Sequence, residues 1–394
     1  MEFAVRDLAE GLVSRHGYEV TVLTTNAYSN ANFRDGQLES IPIDPSEVQN
    51  GVRVRRFPVV TRWAPWLRVA QGVAWRARLP GNDRLRTLYQ GPISPGLRSA
   101  LASEPADVVL AGSFPLNHLK YAFGRRDGAP VVLLGSVHPW DAWGYERPNL
   151  LRLTGRAAAT VAHTESERRW FVERGAPQGK VHVIPEGIDV PPTPPPGRFR
   201  AENGIPPQAF LIAYVGQQGS HKGIDTLIRA LPSLLRNVPD AWLVVAGAPT
   251  PYSESLRRLA TSLPPSGLAR LILAGQVDEA TKSAILADCD VFASPSRHES
   301  FGITVLEAWA HSRPVIVGEG PAQRELLDGG RLGRLVPYGD EDSLLRAIAE
   351  LAADPAARAH LGEAGHRQLL ERYTITHVVS QYDALLEDVR ARPR

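Results

Sequence analysis

Two glutamates bracket a Phe-Gly turn in the segment His298–Ala310, "HESFGITVLEAWA": Glu299 stands before the turn and Glu307 after it. A glycine leading into the start of a helix suits a phosphate. The first N–H groups of a helix have no partner within it, and the aligned peptide dipoles leave positive charge there. Carboxylates beside such a turn can accept hydrogen bonds from sugar hydroxyls. The same residues admit a plainer role, because Thr304 and Glu307 spell Thr-x-x-Glu, the capping box that ties up backbone N–H groups.

A second cluster lies in "YVGQQGSHKGIDTLIRAL", residues 214–231. A strand ends at Gly216, Gln217 and Gly219 follow, and Lys222-Gly223 leads into a helix. Lys222 can neutralise a phosphate that the loop backbone approaches closely, or it is a surface lysine after a strand–helix loop. His138, in "GSVHPWDAWGY", follows another strand, at the end where open α/β sheets bind ligands; an ordinary polar loop residue is the alternative. The pair Asp288 and Asp290 imitates a metal-binding Asp-x-Asp, but its place between a helix and a strand reads as structural. Residues 52–86 hold nine arginines against one acid, Asp83, with Trp63, Trp66 and Trp75 interleaved. That mixture suits an anionic membrane surface or an anionic acceptor, or else a solvated loop with a few buried aromatics.

Positioning these groups requires strands that alternate with helices. Apolar runs at 107–111, 131–135 and 160–163 read as strands in the first half, and runs at 210–216, 241–247, 270–275, 290–296 and 313–319 read so in the second. Alternation of this kind implies parallel sheets covered on both faces. Ile224, Leu227, Ile228, Leu231, Leu234 and Leu235 follow helical spacing. Residues 190–200 carry five prolines in eleven positions, which reads as a stiff linker and excludes a helix or central strand. The expected division is a domain at 1–189, the linker, a domain at 201–372, and a C-terminal helix at 373–394 crossing back to the first domain. Residues 340–389 read as one long helical stretch with a break near Tyr373. The chain opens with an amphipathic helix and then the strand 19–25. A doubly wound domain normally opens with a strand near the middle of its sheet, so that strand and its following loop are expected to be missing.

Composition narrows the field. With 43% hydrophobic and 22% charged residues, the 394-residue chain is globular and long enough for two cores. The net charge of +2 makes no case for nucleic acid. The single cysteine, Cys289, forbids an internal disulfide and fits a reducing compartment. There is no run of about 18 apolar residues to span a membrane. Only four lysines occur, at 120, 180, 222 and 282, in a chain otherwise rich in arginine.

Taken together, Gly216, Lys222-Gly223, the Glu299-x7-Glu307 turn, "VIPEGID" at 183–189 and the C-terminal "ERYTITHVVSQYDALLE" resemble the family 4 retaining glycosyltransferases. The resemblance implies the GT-B fold, two Rossmann-like domains facing a central cleft. It implies transfer of a sugar from a nucleotide-diphosphate donor to a glycan, lipid or metabolite, with the anomeric configuration kept. By the same resemblance, His138 and Glu299 face the reacting sugar in the cleft and Glu307 holds the ribose. Backbone groups of Phe301, Gly302 and Ile303, with Thr304 and Lys222 and beside Gly216 and Gln217, hold the pyrophosphate. No metal or other cofactor is implied. From the single cysteine and the Arg/Trp stretch, the expected location is cytoplasmic, with residues 52–86 against the inner face of the membrane. Two departures stand out: Gln217 replaces the family's usual arginine, and the glycine-rich loop before the first helix is absent. They favour a competing reading, a catalytically impaired or shortened relative that binds a nucleotide, a glycan or a partner protein. A sugar-nucleotide epimerase, the third reading, finds no support in the Phe-Gly turn.

Overall fold

The computed structural model describes residues 2–138 and 141–392, with side chains from residue 5 onward. It divides into two units, Met1–Glu186 together with Val378–Arg394, and Gly187–His377.

In the first unit the strands fall into two sheets. One holds β1 (Thr21–Thr25), β2 (Val48–Gln49) and β3 (Val52–Phe57) in the order β1-β3-β2. The other holds β4 (Val109–Ala111), β5 (Val131–Leu134), β6 (Ala159–Ala162) and β7 (Val181–Val183), parallel and in chain order. Among the described residues β1 pairs only with β3, and β4 only with β5. The opening helix α1 (Glu2–His16) buries Leu8, Ala9 and Leu12, with Ala9 against Val52 and Val54 of β3. Its Gly11 lies against Val379 of the last helix, whose residues from Val378 on belong to this unit.

Residues 52–86 are not the loop that one sequence reading allowed. They form β3, helix α2 (Ala64–Arg76) and the start of helix α3 (Asn82–Gln90). Val52 and Val54 face inward while Arg53 is exposed, so the alternation of valine and arginine is that of a half-buried strand.

The second unit is one parallel sheet of six strands: β8 (Leu211–Val215), β9 (Trp242–Ala246), β10 (Leu271–Gly275), β11 (Val291–Ser294), β12 (Val315–Gly318) and β13 (Arg334–Val336). Their order is β10-β9-β8-β11-β12-β13. The chain therefore builds outward from β8 on one side, then crosses to the other, which leaves a crevice between the loops that follow β8 and β11. Helix α5 (Ile224–Asn237), numbered after helix α4 (Glu165–Glu173) of the first unit, covers one face with Ile224, Leu227, Ile228, Leu231 and Leu234 all buried. Each such side chain contributes about 1.5–3 kcal/mol by leaving water.

Two helix boundaries differ from expectation. The proline-rich linker ends in a short helix, Arg198–Glu202, because Asp288 accepts the N–H groups of Gly197, Phe199 and Arg200 at 2.7, 2.8 and 3.2 Å. That is the structural role of Asp288; Asp290 pairs with Arg200 at 2.8 Å. The C-terminal stretch is three helices, Glu341–Ala353, Pro355–Arg372 and Ile375–Ala391, and the first break is made by Asp354 capping the helix that Pro355 opens.

Candidate active site

The loop after β8 carries Gly216, Gln217 and Lys222. Gly216 donates its N–H to the Ala246 carbonyl at 2.9 Å, which ties the loop to the end of β9. The buried Tyr214 donates its hydroxyl to the Gln217 carbonyl at 3.0 Å, while the Gln217 side chain is exposed. Gly223 has φ 70° and caps α5; a β-carbon there would sit 2.3 Å from the Pro295 carbonyl oxygen, so only glycine lets the two loops close on each other. Across the crevice, Arg297 donates its N–H to the His221 carbonyl at 2.8 Å.

This closure brings Lys222 to Glu299. The ammonium lies 2.7 and 2.8 Å from the two carboxylate oxygens, and the side chains are only 18% and 20% exposed. A cation and a carboxylate thus meet at the switch point of the sheet. Three residues on, Gly302 has φ 121° and opens helix α7 (Ile303–Ala310), which follows helix α6 (Glu279–Asp288) in the chain. The Phe301 ring turns into the core, 5.8 Å from the Tyr373 ring and edge-on.

The capping box does not form. Gly302 is the cap, so Thr304 already lies inside the first turn, and no side chain caps this helix. The Glu307 carboxylate reaches instead to Lys282 on α6, 2.6 Å away. Burial pushes the Glu307 carboxyl up and the Lys282 ammonium opposes it. Lys282 had no assigned role in the sequence; its one signal was its rarity.

In the first unit, His138 lies just past β5 and its ring meets Tyr145 edge-on at 5.3 Å. The turn before it is held by a residue that sequence reasoning missed. Glu167, on α4, accepts N–H groups from Ser136 and Val137 at 2.5 and 2.7 Å through one oxygen, and from His163 at 2.6 Å through the other. Burial pushes this carboxyl up, against three N–H groups that favour its ionised form. The signal was present, since Thr164-x-x-Glu167 has capping-box spacing and Thr164 does accept the Glu167 N–H at 3.1 Å.

Of the named site residues, Gly216, Gln217, Lys222, Glu299, Phe301, Gly302, Ile303, Thr304 and Glu307 therefore gather on two loops and one helix of the second unit. His138 belongs to the first unit.

The sheet order is that of a doubly wound domain, with a cation and a carboxylate at its switch point. Residues 197–368 match the family described as Glycosyl transferases group 1, and residues 1–187 match the Glycosyl transferase 4-like domain. The chain belongs to these glycosyltransferases and has their GT-B fold, built of two Rossmann-like domains. It is 29% identical over 346 residues to the GDP-mannose-dependent alpha-(1-6)-phosphatidylinositol monomannoside mannosyltransferase of Mycolicibacterium smegmatis, across 84% of this chain and 82% of that one. It is 35% identical over 230 residues to the D-inositol 3-phosphate glycosyltransferase of Kineococcus radiotolerans, across 53% of this chain and 52% of that one. The sucrose-phosphate synthase of Thermosynechococcus elongatus shares the fold, with a TM-score of 0.72 at 19% identity, covering 99% of this chain and 93% of that structure.

Proposed function

We propose that the protein transfers a hexose from a nucleoside-diphosphate sugar to an inositol-bearing acceptor, with retention at the anomeric carbon. The bond from that carbon to the diphosphate oxygen breaks, a bond to the acceptor oxygen forms, and the acceptor proton leaves with the diphosphate. Negative charge therefore grows on the departing group, which is where fixed positive charge lowers the barrier. The observation that carries the reading is Lys222 held against Glu299 at the crevice, three residues before Gly302, the cap of α7. In this reading Lys222 and the α7 amides, with the loop around Gly216 and Gln217, take the diphosphate. Glu299 takes sugar hydroxyls, Glu307 takes the ribose, and His138 acts on the reacting sugar. No metal is needed for that charge balance.

The inositol acceptor is inferred from the names of two relatives, one acting on a phosphatidylinositol mannoside and the other on inositol 3-phosphate. A lipid acceptor suits the N-terminal unit, where we place an anionic membrane surface against residues 52–86. No helix among the described residues is long and apolar enough to cross a membrane; the contact proposed here is peripheral, on the cytoplasmic leaflet.

The test is mass spectrometry, with proton NMR of the anomeric centre, of products from GDP- and UDP-sugars offered with phosphatidylinositol or inositol 3-phosphate, with and without EDTA. A hexose added in the donor's anomeric configuration, undiminished by EDTA, supports the proposal. Hydrolysis alone, or no product from any pair, refutes it.

A further inference from the structure

The two glutamates of the Phe-Gly turn each carry a lysine partner, in a chain that has only four lysines. Lys222 has a place in the proposed diphosphate site; Lys282 has none. Its ammonium sits 2.6 Å from Glu307 Oε1 and 2.7 Å from Glu279 Oε2. Glu279 is almost wholly in solvent, whereas Lys282 and Glu307 are both about one-fifth exposed. The close pair thus joins α6 to α7 where those helices pack.

We propose that Lys282 is a positioning residue for sugar-donor binding: it holds the Glu307 carboxylate ionised and in one orientation, with Oε1 taken and Oε2 left for ribose hydroxyls. This rests on the reading of Glu307 as a ribose-binding group. An ionised carboxylate accepts from both hydroxyls of a ribose, while a protonated one must spend an oxygen as a hydrogen-bond donor. Burial alone drives Glu307 toward the protonated form, and Glu279 pushes the same way. Lys282 supplies the opposing charge.

None of the other titratable groups on the packed elements replaces it. His311, one turn along α7, meets Ser283 Oγ at 3.1 Å and is pulled down to about 4, so it is neutral near pH 7. The Arg313 guanidinium donates to the Ala287 carbonyl. His366, on helix α8 (Pro355–Arg372), lies with Nδ1 at 2.9 Å from the Trp309 carbonyl.

The experiment is calorimetric titration of the full chain with GDP and UDP from about pH 5.5 to about pH 8.5, on the side of the ordinary carboxyl range toward which Glu307 is shifted. Wild type, Lys282→Met, Lys282→Arg and Glu307→Gln are compared, with thermal unfolding to confirm that each folds. Without the ammonium the Glu307 pKa rises further, so affinity falls as pH falls. Lys282→Met is expected to bind ~10-fold more weakly near neutrality and to recover affinity as pH rises. Lys282→Arg keeps the charge and stays within ~3-fold of wild type. Glu307→Gln binds weakly at every pH. If Lys282→Met matches wild type across the range while Glu307→Gln is weak, the proposal for Lys282 is overturned and the reading of Glu307 stands. If Glu307→Gln binds as wild type does, the reading of Glu307 falls, and this proposal with it.

Discussion

Both oxygens of Glu299 lie within 2.8 Å of the Lys222 ammonium, so the cation a diphosphate needs is already engaged. On the proposed reading, a diphosphate draws Lys222 away and in doing so frees Glu299 for sugar hydroxyls. Two opposite outcomes follow for the two partners. Lys222→Ala should weaken binding of a nucleoside diphosphate by ~10-fold or more, the scale of a lost charge-assisted hydrogen bond. Glu299→Gln should tighten the same binding a few-fold, because it removes a competitor and a like charge, yet slow transfer by at least ~10-fold. The tightening is kept small because both side chains are partly exposed. Calorimetry on the two folded variants decides this; weaker binding by both would show that Glu299 is not a competitor. Neither ion pair was legible beforehand, since they join residues 77 and 25 positions apart. Spacing reveals partners on one helix or one turn, not partners brought together by a sheet.

At the scale of the element, the Thr-x-x-Glu spacing at 304–307 fitted a cap that the backbone does not make. Gly302 leaves the helical conformation at φ 121°, so the helix begins one residue before Thr304. Sequence spacing cannot say which residue stands outside a helix when a glycine lies just upstream. The equivalent spacing at Thr164–Glu167 does cap, and its glutamate also fixes the turn that carries His138. Glu167→Ala leaves three N–H groups without their acceptor, each costing about 1–3 kcal/mol if it stays buried. The N-terminal unit should then melt ~5 °C or more below wild type, and Glu167→Gln, which loses one acceptor, should fall between. Differential scanning calorimetry reads this; an unchanged transition in Glu167→Ala would show that the turn does not depend on the carboxylate.

Helix α2 gives the membrane proposal its shape. Trp66, Val69 and Val73 line one face at helical spacing and are 74%, 63% and 58% exposed, while Ala64 and Ala74 are buried on the other. Arg62, Arg68, Arg76 and Arg78, in the helix or beside its ends, are exposed, and the one acid of the region, Asp83, is buried. A helix with an exposed apolar face and arginines within and beside it has the makeup of an interfacial helix. Co-sedimentation with phosphatidylinositol-rich vesicles should be strong at low salt, weaken at high salt, and be lost in Trp66→Ser/Val69→Ser. No pelleting of the wild type at low salt would refute it.

At the scale of the molecule, the strands of the second unit were legible because they are apolar runs closed by glycine or proline. β13 was not, being three residues long. β3 was passed over because its arginines drew attention to charge rather than to the valines between them. The two-sheet arrangement of the first unit was not legible: no local pattern showed that β4 would begin a separate sheet. Side chains facing across a crevice depend on strand order, which no local pattern encodes.

The central claim is that sugar transfer runs on the crevice between the β8 and β11 loops. Its most direct measurement is kcat/KM for the nucleotide sugar that gives product, wild type against Lys222→Ala, with both proteins shown to be folded by the same thermal transition. The account predicts that wild type forms the glycosylated product and that Lys222→Ala loses ~100-fold or more, because the lost charge acts on both binding and the departing diphosphate. Equal kcat/KM in the two proteins would contradict it.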